Sequence, residues 1–335
     1  MRVLVTGGAG FIGSNFVRAL ADDGAHEITV LDKLTYAGNL ENLEGIEIEF
    51  VKGDVAEPAD VESVLSPGRF DGVVHFAAES HVDRSLEDAA PFLRTNVTGT
   101  QVMLDAARRA GVARYVHLST DEVYGPMGPG ETADESAPFR PTSPYSASKA
   151  AADLLVAAAR HTWGTPAVIA RPSNNYGPRQ HPEKAVPLFL TNAMEGKGLP
   201  VYGDGLQERD WLYVEDCVRA LVALLLAPKL EHAVYNISFG EPRPNIEMVK
   251  AVLDFAGRSA DAVEHVKDRP GHDRRYAPDS ARIRSELGWQ PEVDFDRGLA
   301  LTAEWYKAHP EWWERIKSGA YRDYYEKMYA SRGKA

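Results

Sequence analysis

Cysteine is almost absent from this chain of 335 residues, which contains one thiol, at Cys217. A single cysteine cannot form an internal disulfide, and such low usage is typical of proteins that fold in a reducing compartment. Apolar runs are also short, because none approaches the roughly 20 residues of a membrane-spanning helix. The first predicted strand begins at Arg2, which leaves no room for a signal peptide. We therefore expect a cytoplasmic protein without a membrane partner.

Positive charge is also in deficit, since 37 Lys and Arg residues face 49 Asp and Glu residues, for a net charge of −12 at pH 7. Nucleic-acid binding depends on cationic side chains, so this balance argues against it. The ten histidines show no spacing typical of metal ligands. We therefore expect neither a nucleic-acid partner nor a metal site.

Short apolar segments alternate with helical stretches through the first half of the chain. The apolar segments predict strands at residues 2–6, 27–31, 48–51, 72–76, 115–118 and 166–170. Strands that alternate with helices in this way form parallel sheets covered by helices on both faces. The predicted fold class is α/β, a Rossmann-type doubly wound parallel sheet with a smaller, mixed α/β C-terminal domain.

Glycines dominate the turn after the first predicted strand, where Gly7, Gly10 and Gly13 lie just before a helix. Such a turn lets the backbone approach a pyrophosphate at the helix N-terminus. Asp32 ends the second predicted strand, where a carboxylate accepts from the adenosine ribose and repels a 2′-phosphate. The pattern predicts NAD rather than NADP as the cofactor, and the neighbouring Lys33 slightly weakens that preference.

Two domains are predicted from the change in pattern near residue 175. Residues 1–175 form the expected NAD-binding domain, and residues 176–330 form mainly a substrate-binding domain rich in turn-forming residues. Residues 210–240 again resemble a strand followed by a helix, and we expect them to rejoin the first domain. Within that segment, residues 210–216 are interpreted as structural.

Tyr145 and Lys149 are four residues apart, so they share one face of a predicted helix. A free tyrosine has a pKa of about 10 and is a poor base at neutral pH. A neighbouring ammonium and a cationic nicotinamide both favour the phenolate. The pair therefore predicts an oxidation catalyst, and the glycine turn upstream argues against an ordinary surface lysine.

Two adjacent carboxyl groups, Asp121 and Glu122, follow Thr120 at the end of the fifth predicted strand. Open α/β sheets place ligands at this edge. Two carboxyl groups this close do not both ionise easily, so one is expected to stay protonated and the other charged. Hydride transfer alone needs neither, so the pair predicts additional proton transfers. The alternative is a solvated turn with two surface acids.

Several other groups have both structural and functional interpretations. The helix after Tyr145 is apolar on more than one face at residues 150–159, which favours a homodimer built on this helix. Lys184, Arg209, Arg269 and Arg274 are candidates for binding a phosphate, although each alone resembles a surface charge. The aromatic residues near the C-terminus are expected to pack in the core: Trp305, Tyr306, Trp312, Trp313, Tyr321, Tyr324 and Tyr325.

Taken together, these motifs resemble the extended short-chain dehydrogenase/reductase superfamily. The superfamily resemblance rests on TGGAGFIGS and on YSASKA, which contains the Tyr-x-x-x-Lys pair. A narrower resemblance, to the dTDP-glucose 4,6-dehydratase family, rests on STDEVYG, because related 4-epimerases typically lack the acid pair. It extends through HFAAESHVDRS, RPSNNYGP, GDGLQERDWLYVEDC and DRPGHDRRYA, and so covers nearly the whole chain.

The resemblance implies the following site residues. Catalysis falls to Thr120, Asp121, Glu122, Tyr145 and Lys149. NAD binding falls to Gly7, Gly10, Phe11, Ile12, Gly13, Asp32, Lys33, Leu34, Thr35, Asp54, Val55, Phe76, Ala77, Ala78, Glu79, Ser80, Thr95, Tyr145, Lys149 and Asn175. Nucleotide-sugar binding falls to Ser80, Thr120, Asn174, Lys184, Ala185, Pro200, Val201, Tyr202, Arg209, Asn245, Asp268, Arg269, Pro270, Gly271 and His272.

The implied reaction converts dTDP-glucose to dTDP-4-keto-6-deoxyglucose and water. Tyr145 takes the C4 hydroxyl proton while NAD takes the C4 hydride. Glu122 removes the C5 proton, Asp121 donates to the leaving C6 hydroxyl, and the hydride returns to C6. Thr120 polarises the C4 oxygen and Lys149 holds the ribose. The segment between Gly125 and Pro144 looks short for the family, which leaves fine substrate preference open.

Two alternatives stay open on the sequence alone. A 4-epimerase or decarboxylase acting on a UDP-sugar would oxidise C4 on the same fold but would need no acid at C6. A binding protein that senses NAD without catalysis would generally lack the Tyr-Lys pair that this chain retains. The nucleotide base, the downstream pathway and the division of work between the two carboxyl groups are not determined by these residues.

Overall fold

A seven-stranded parallel sheet forms the centre of the fold in the computed structural model, which describes residues 1–319 and Tyr325. Its strands are β1 (Arg2–Thr6), β2 (Glu27–Asp32), β3 (Glu49–Lys52), β4 (Gly72–His75), β5 (Arg114–Leu118), β6 (Ala167–Pro172) and β10 (Val234–Ile237). They lie in the order β10-β6-β5-β4-β1-β2-β3, and every neighbouring pair is parallel. The predicted doubly wound sheet is confirmed, with strand ends within two residues of the prediction.

Two smaller sheets lie outside the main one. One contains β7 (Asn174–Tyr176), β9 (Glu208–Tyr213) and β11 (Pro242–Pro244), and the other contains β8 (Leu199–Tyr202) and β12 (Val263–Val266). β9 is antiparallel to β11 and parallel to β7, whereas β8 and β12 are parallel to each other. These strands carry the mixed α/β part of the chain.

Helices cover the sheets and connect the strands. They are α1 (Phe11–Asp23), α2 (Pro58–Val64), α3 (Val82–Glu87), α4 (Ala90–Phe92), α5 (Thr100–Ala110), α6 (Pro144–Trp163), α7 (Ala185–Met194), α8 (Val214–Leu226), α9 (Asn245–Ala256), α10 (Ala281–Leu287), α11 (Phe295–Ala308) and α12 (Pro310–Ser318). Short 3-10 turns lie at Leu40–Leu43, Asp121–Tyr124 and Ala260–Ala262, and a π-helical segment lies at Leu93–Gly99. No helix within the described residues is long and apolar enough to cross a membrane.

Alternation along β1 explains why the main sheet is covered on both faces. Val3 and Val5 point into a core shared with α1 and α8, whereas Leu4 points into a second core shared with α2, α5 and α6. All three side chains are fully buried. A strand that is apolar on both faces is stable only between two layers, which is the arrangement of a doubly wound sheet.

A third core lies in the C-terminal half of the chain, around Tyr176, Trp211 and Phe295. The C-terminal aromatic residues that the structure describes pack against it, as predicted for Trp305, Tyr306, Trp312, Trp313 and Tyr325. Tyr321 and Tyr324 lie outside the described residues.

The last described helix also contacts the glycine turn near the start of the chain. Trp312 of α12 donates from Nε1 to Asn42 Oδ1 over 3.0 Å, and Asn42 donates from Nδ2 to the carbonyl of Ala9 over 2.9 Å. Trp312 and Asn42 are both buried. The two ends of the described chain are therefore joined at the turn that follows β1.

The segment predicted to rejoin the first domain is divided between two sheets. β9 pairs within a small sheet, but α8 packs on α1 and β10 forms an edge of the main sheet beside β6. Asp210 on β9 accepts from the Ser173 hydroxyl and from the backbone N–H groups of Phe239, Gly240 and Glu241. This buried carboxylate connects the small sheet to the chain that follows β10.

Candidate functional site

A cleft of about 330 Å³ opens at the carboxyl ends of the parallel strands. It is lined by the glycine turn after β1, by the residues that follow β2, β4 and β5, and by the start of α6. The central part of this edge lies between β1 and β4, where the strand order reverses. Open α/β sheets bind ligands at such a reversal, so the cleft is the candidate active site.

The glycine turn leaves no room for side chains. Gly7 has a φ of +71°, and a Cβ added to it would lie 2.6 Å from the backbone nitrogen of Ala77. A Cβ on Gly13 would collide with the carbonyl oxygen of Gly7. The backbone can therefore approach a pyrophosphate closely at the N-terminus of α1, as the sequence predicted.

Asp32 lies at the end of β2 with its carboxylate held by the backbone. It accepts from the N–H groups of Ala9 at 3.0 Å and Leu34 at 2.8 Å. Burial raises the pKa of Asp32, and these two bonds act against that rise. Leu34 adopts a left-handed conformation, with a φ of 57°, and its side chain does not line the cleft, so its contact with the cofactor stays a prediction.

Lys33 is paired rather than free to meet a phosphate. Its Nζ lies 2.8 Å from Asp54 Oδ2, and a guanidinium nitrogen of Arg94 lies 2.6 Å from the same oxygen. Burial acts to raise the pKa of Asp54, but the hydrogen bonds from Lys33, Ala56 and Arg94 lower it to about 2. Asp54 therefore balances the charge of Lys33. Lys33 is then a weaker argument against the predicted preference for NAD over NADP.

Tyr145 and Lys149 project into the cleft from the first turns of α6. Ser143 caps this helix in a reciprocal capping box with Ser146, which fixes its start. Lys149 donates from Nζ to the carbonyl of Leu118, at the end of β5, over 2.6 Å. Burial lowers the pKa of Lys149 to about 8, with the nearby Asp153 acting in the opposite direction. Lys149 is therefore held against the strand that carries the acid pair.

The pKa of Tyr145 differs from the sequence prediction. Burial raises it well above its usual value, the charge of Glu122 raises it further, and a hydrogen bond with Thr120 acts to lower it. The ammonium of Lys149 does not outweigh the loss of water around the phenol. Added positive charge in the cleft, such as a nicotinamide ring, would lower the pKa of the Tyr145 phenol and so favour the phenolate.

Asp121 and Glu122 lie in a 3-10 turn that Thr120 caps. The hydroxyl of Thr120 accepts from the backbone N–H of Glu122 at 3.2 Å and donates to Asp121 Oδ1 at 3.3 Å. Burial raises the pKa of Asp121 well above its usual value, and the charge of Glu122 adds to the rise. Asp121 is buried and Glu122 is half-buried, and both line the cleft, so the alternative of a solvated surface turn is wrong.

Glu122 has a different electrostatic environment from Asp121. Burial also raises the pKa of Glu122, but Arg269, Arg209 and Lys184 all act to lower it. Asp121 is therefore the carboxyl that holds its proton more firmly, and Glu122 is the one that ionises more readily. This difference in surroundings agrees in direction with the predicted division into one acid and one base, which stays a prediction.

The cationic residues of the site are held by backbone carbonyls and an acid. Lys184 donates to the carbonyl of Ser80 at 2.7 Å, and Arg209 donates to that of Asp273 at 2.9 Å. Arg269 lies 3.6 Å from Asp83. Arg274 instead pairs with the exposed Asp204 and is itself more than half exposed, so it is a surface charge.

Most of the predicted site residues meet in the cleft. Every predicted NAD contact except Leu34 lines it, and so do all five predicted catalytic residues. Of the predicted sugar-nucleotide contacts, five line the cleft: Ser80, Thr120, Asn174, Lys184 and Ala185.

The remaining predicted contacts do not line the cleft, and most of them form a separate group beside it. These residues are Pro200, Val201, Tyr202, Arg209, Asn245, Asp268, Arg269, Pro270, Gly271 and His272. Within the group, the rings of Tyr202 and His272 are 5.9 Å apart, and His272 Nδ1 lies 2.6 Å from Asp268. Arg209 and Arg269 connect this group to the cleft through their effect on Glu122.

Several residues that the sequence analysis did not select also line the cleft. Trp211, interpreted from the sequence as structural, faces it with a buried Nε1 that has no hydrogen-bond partner among the described residues. Gln180, His181 and Glu183 line it as well. The polar HPEK sequence after a turn was the available signal for the last two, whereas a tryptophan inside a strand resembles a core residue.

Within residues 1–319, no group of three or more His, Cys, Asp or Glu side chains is placed to hold a metal ion.

Comparisons with known proteins agree with this geometry. A family model described as GDP-mannose 4,6 dehydratase matches residues 4–302. A dTDP-glucose 4,6-dehydratase of Streptomyces niveus is 50% identical over 327 residues, covering 95% of this chain and 96% of the relative.

Solved structures show the same likeness. A dTDP-glucose 4,6-dehydratase of Streptomyces venezuelae with NAD bound superposes with a TM-score of 0.91 at 46% identity, covering 95% of this chain and all of the other. A UDP-glucose 4-epimerase of Thermus thermophilus in complex with NAD has a TM-score of 0.87 at 35% identity, covering 92% of this chain and all of the other. The chain therefore belongs to the GDP-mannose 4,6-dehydratase family, in the branch of the dTDP-glucose 4,6-dehydratases.

Proposed function

We propose that this enzyme converts dTDP-glucose to dTDP-4-keto-6-deoxyglucose and water, with NAD as a bound and regenerated cofactor. The observation that carries the proposal is the placement of two adjacent carboxyl groups, Asp121 and Glu122, beside Tyr145 in one cleft. Burial raises the pKa of both, and three cations act to lower that of Glu122. A relative named as a dTDP-glucose 4,6-dehydratase is 50% identical over nearly the full chain. An oxidation at C4 alone would require only the tyrosine and the lysine.

The residues of the cleft fit NAD. Side chains are excluded from the glycine turn at Gly7 and Gly13, which leaves backbone to hold the pyrophosphate. Asp32 would accept from one ribose, and Lys149 would donate to the other. The buried Oδ1 of Asn175 has no partner among the described residues and faces the same cleft. The chemistry that NAD supplies when bound is the temporary removal of a hydride from C4 and its return at C6.

Three residues act at C4 in this proposal. Tyr145 takes the proton of the C4 hydroxyl, and Thr120 orients that hydroxyl by hydrogen bonding. Lys149 contributes a positive charge behind the tyrosine, held in place by the carbonyl of Leu118. The C4 ketone that results acidifies the hydrogen on C5.

The two carboxyl groups act at C5 and C6. Glu122, kept closer to ionisation by Arg269, Arg209 and Lys184, removes the C5 proton. Asp121, whose proton burial stabilises, donates to the C6 oxygen so that it leaves as water. Glu122 then returns a proton to C5. The same cationic side chains would balance the diphosphate in a protein whose net charge is −12.

The epimerase alternative is disfavoured by the acid pair. A solved UDP-glucose 4-epimerase shares the fold at 35% identity, so the fold alone does not separate the two reactions. A 4-epimerase oxidises and reduces C4 without removing the C6 oxygen, and it has no use for a buried acid at Asp121. Retention of Tyr145 and Lys149 in the cleft likewise disfavours a binding protein without activity.

We also propose that the enzyme is a cytoplasmic homodimer. On α6, Leu154 is 60% exposed, and Ala147 and Ala158 on the same helix are also exposed. Leu93, on the neighbouring π-helical segment, is 54% exposed. Apolar residues at this spacing form a seam that a second copy of the chain can cover. The buried, unbridged Cys217 supports a reducing location.

Purified enzyme incubated with dTDP-glucose, UDP-glucose or GDP-mannose is expected to release water from dTDP-glucose in preference to the other two. Mass spectrometry of the nucleotide sugar measures the loss of one water. Conversion of UDP-glucose to its C4 epimer without loss of water would instead identify an epimerase.

Replacing the proposed C5 base tests the division of the two acids. Glu122→Gln is expected to slow exchange of the C5 hydrogen with solvent deuterium by about 100-fold, the lower range for a positioned general base. The first hydride transfer, followed by absorbance in a single turnover, should persist. Glu131→Gln, which changes an exposed acid, is the matched control. Undiminished C5 exchange in Glu122→Gln would show that another group is the base.

The pH profile tests Lys149. Its pKa is lowered by burial to about 8, so the ammonium is present below that pH and is lost as the pH rises through it. Activity is therefore expected to fall on the alkaline side near pH 8. In Lys149→Arg, whose guanidinium stays charged, the residual activity should lack this fall. A wild-type alkaline limit near the ordinary lysine value would contradict the assignment.

The dimer seam is tested by charge. Leu154→Asp is expected to sediment as a monomer at concentrations where the wild-type protein is a dimer, because two carboxylates would meet in an apolar seam. Leu301→Asp, at an exposed position on α11, should leave the mass unchanged. A Leu154→Asp protein that remains dimeric would place the interface elsewhere.

A further inference from the structure

Four side chains that are not among the predicted site residues form a closed ring of contacts at the cleft. Tyr36 follows β2, Arg84 belongs to α3, and His181 and Glu183 lie in the loop between β7 and α7. We call these four residues the strap. They come from three segments that are distant in the sequence and that do not pair as strands with one another. Side-chain contacts therefore join the segments at this point.

An ion pair joins α3 to the loop before α7. Arg84 donates from Nε over 3.2 Å and from Nη2 over 3.1 Å to the same oxygen, Glu183 Oε2. The side chain of Glu183 is 2% exposed, and that of Arg84 is 26% exposed. Salt and water screen a partly buried pair much less than a pair at the surface. This contact therefore holds the two segments together more firmly than a surface ion pair would.

Tyr36 completes the ring of contacts. The guanidinium carbon of Arg84 lies 3.9 Å from the centre of the Tyr36 ring, within the range of a cation–π contact. The ring of His181 meets the same tyrosine edge-on, with 5.5 Å between the ring centres. The backbone N–H of Glu183 donates to His181 Nδ1 over 3.4 Å. Each of the four residues therefore contacts two of the others.

The strap lies beside residues that would hold NAD. Tyr36 stands between Thr35, a predicted cofactor contact, and Ala37, and both of these neighbours line the cleft. His181 and Glu183 line the cleft themselves. The strap therefore connects the loop after β2 to another part of the wall of the same cleft.

The proposed reaction gives the enzyme a reason to retain its cofactor. The hydride taken from C4 must return to C6 of the same sugar, so release of the reduced cofactor between these steps would leave the sugar incompletely converted. The cofactor also ends each turnover in the form in which it began it. Slow exchange of the cofactor therefore does not limit the overall rate, and it protects each turnover from interruption.

We propose that the strap keeps NAD in the cleft from one turnover to the next by joining the loop after β2 to the loop before α7. The inference rests on the proposed function, because only a cofactor that is regenerated in place can stay bound. Release of NAD requires these two loops to move apart, and at least one contact of the ring must then break. Because the contacts form one ring, loss of a single side chain opens the strap.

Tyr36→Ala tests the strap at its most accessible member. Tyr36 is 38% exposed, so the change is not expected to unfold the protein. Enzyme loaded with radiolabelled NAD is mixed with an excess of unlabelled NAD, and the label that stays bound is counted over time. The release rate is expected to rise about 5-fold in Tyr36→Ala, the effect of losing one cation–π contact near the surface. Tyr36→Phe, the matched control, keeps the ring and should release NAD at nearly the wild-type rate.

Arg84→Gln opens the strap from α3 and should raise the release rate by at least as much. The protein that carries both Tyr36→Ala and Arg84→Gln should release NAD no faster than the faster single variant, because either change alone opens the ring. Arg109→Gln, which loses an exposed ion pair with Glu62, should release NAD at the wild-type rate. Unchanged release in either single variant would overturn the proposal. Effects that multiply in the double variant would also overturn it, because independent contacts would then hold the cofactor.

A second measurement follows the cofactor during turnover with dTDP-glucose and no added NAD. Tyr36→Ala is expected to lose activity over successive turnovers and to release NADH, detected by fluorescence after filtration, whereas the wild-type enzyme should do neither. Equal release of NADH by both proteins would contradict the strap. Exchange of labelled NAD needs no sugar, so it is measured independently of dehydration. Failure of the proposed function would appear instead as an absence of dehydration by the wild-type enzyme.

Discussion

The hydrogen bond from Lys149 to the carbonyl of Leu118 joins helix α6 to the end of strand β5. Tyr145 lies one turn before Lys149 on that helix, and Thr120 lies two residues beyond Leu118 on the other side. The bond therefore holds the phenol against the acid pair. Burial lowers the pKa of Lys149, so the same contact that aligns the catalytic groups also sets the charge that the lysine can contribute.

Loss of water, more than pairing of charges, determines the protonation of this site. Burial is the largest influence on Asp121, Glu122 and Tyr145 and raises the pKa of each. The cations Arg209 and Arg269 oppose this rise and weigh most on Glu122. Two carboxyl groups adjacent in sequence thereby acquire different roles from different surroundings.

Local pattern in the sequence was enough to predict the sheet, the glycine turn and the acid pair, because each depends on neighbouring residues. It was not enough to predict features that depend on residues far away in the sequence. Leu34 has a left-handed backbone and does not line the cleft. Trp211 does line it, on a strand that pairs with β7 rather than with the main sheet. The pKa of Tyr145 also required the structure, since the extent of burial is not visible in a Tyr-x-x-x-Lys spacing.

The contact of α12 with the glycine turn has a consequence for the order of synthesis. Trp312 supports Asn42, and Asn42 supports the carbonyl of Ala9. A ribosome delivers the N-terminal half of the sheet long before it delivers Trp312. The nascent chain can therefore form the glycine turn before Trp312 is made. The hydrogen bond from Trp312 to Asn42, which supports that turn, forms only after nearly the whole chain has emerged.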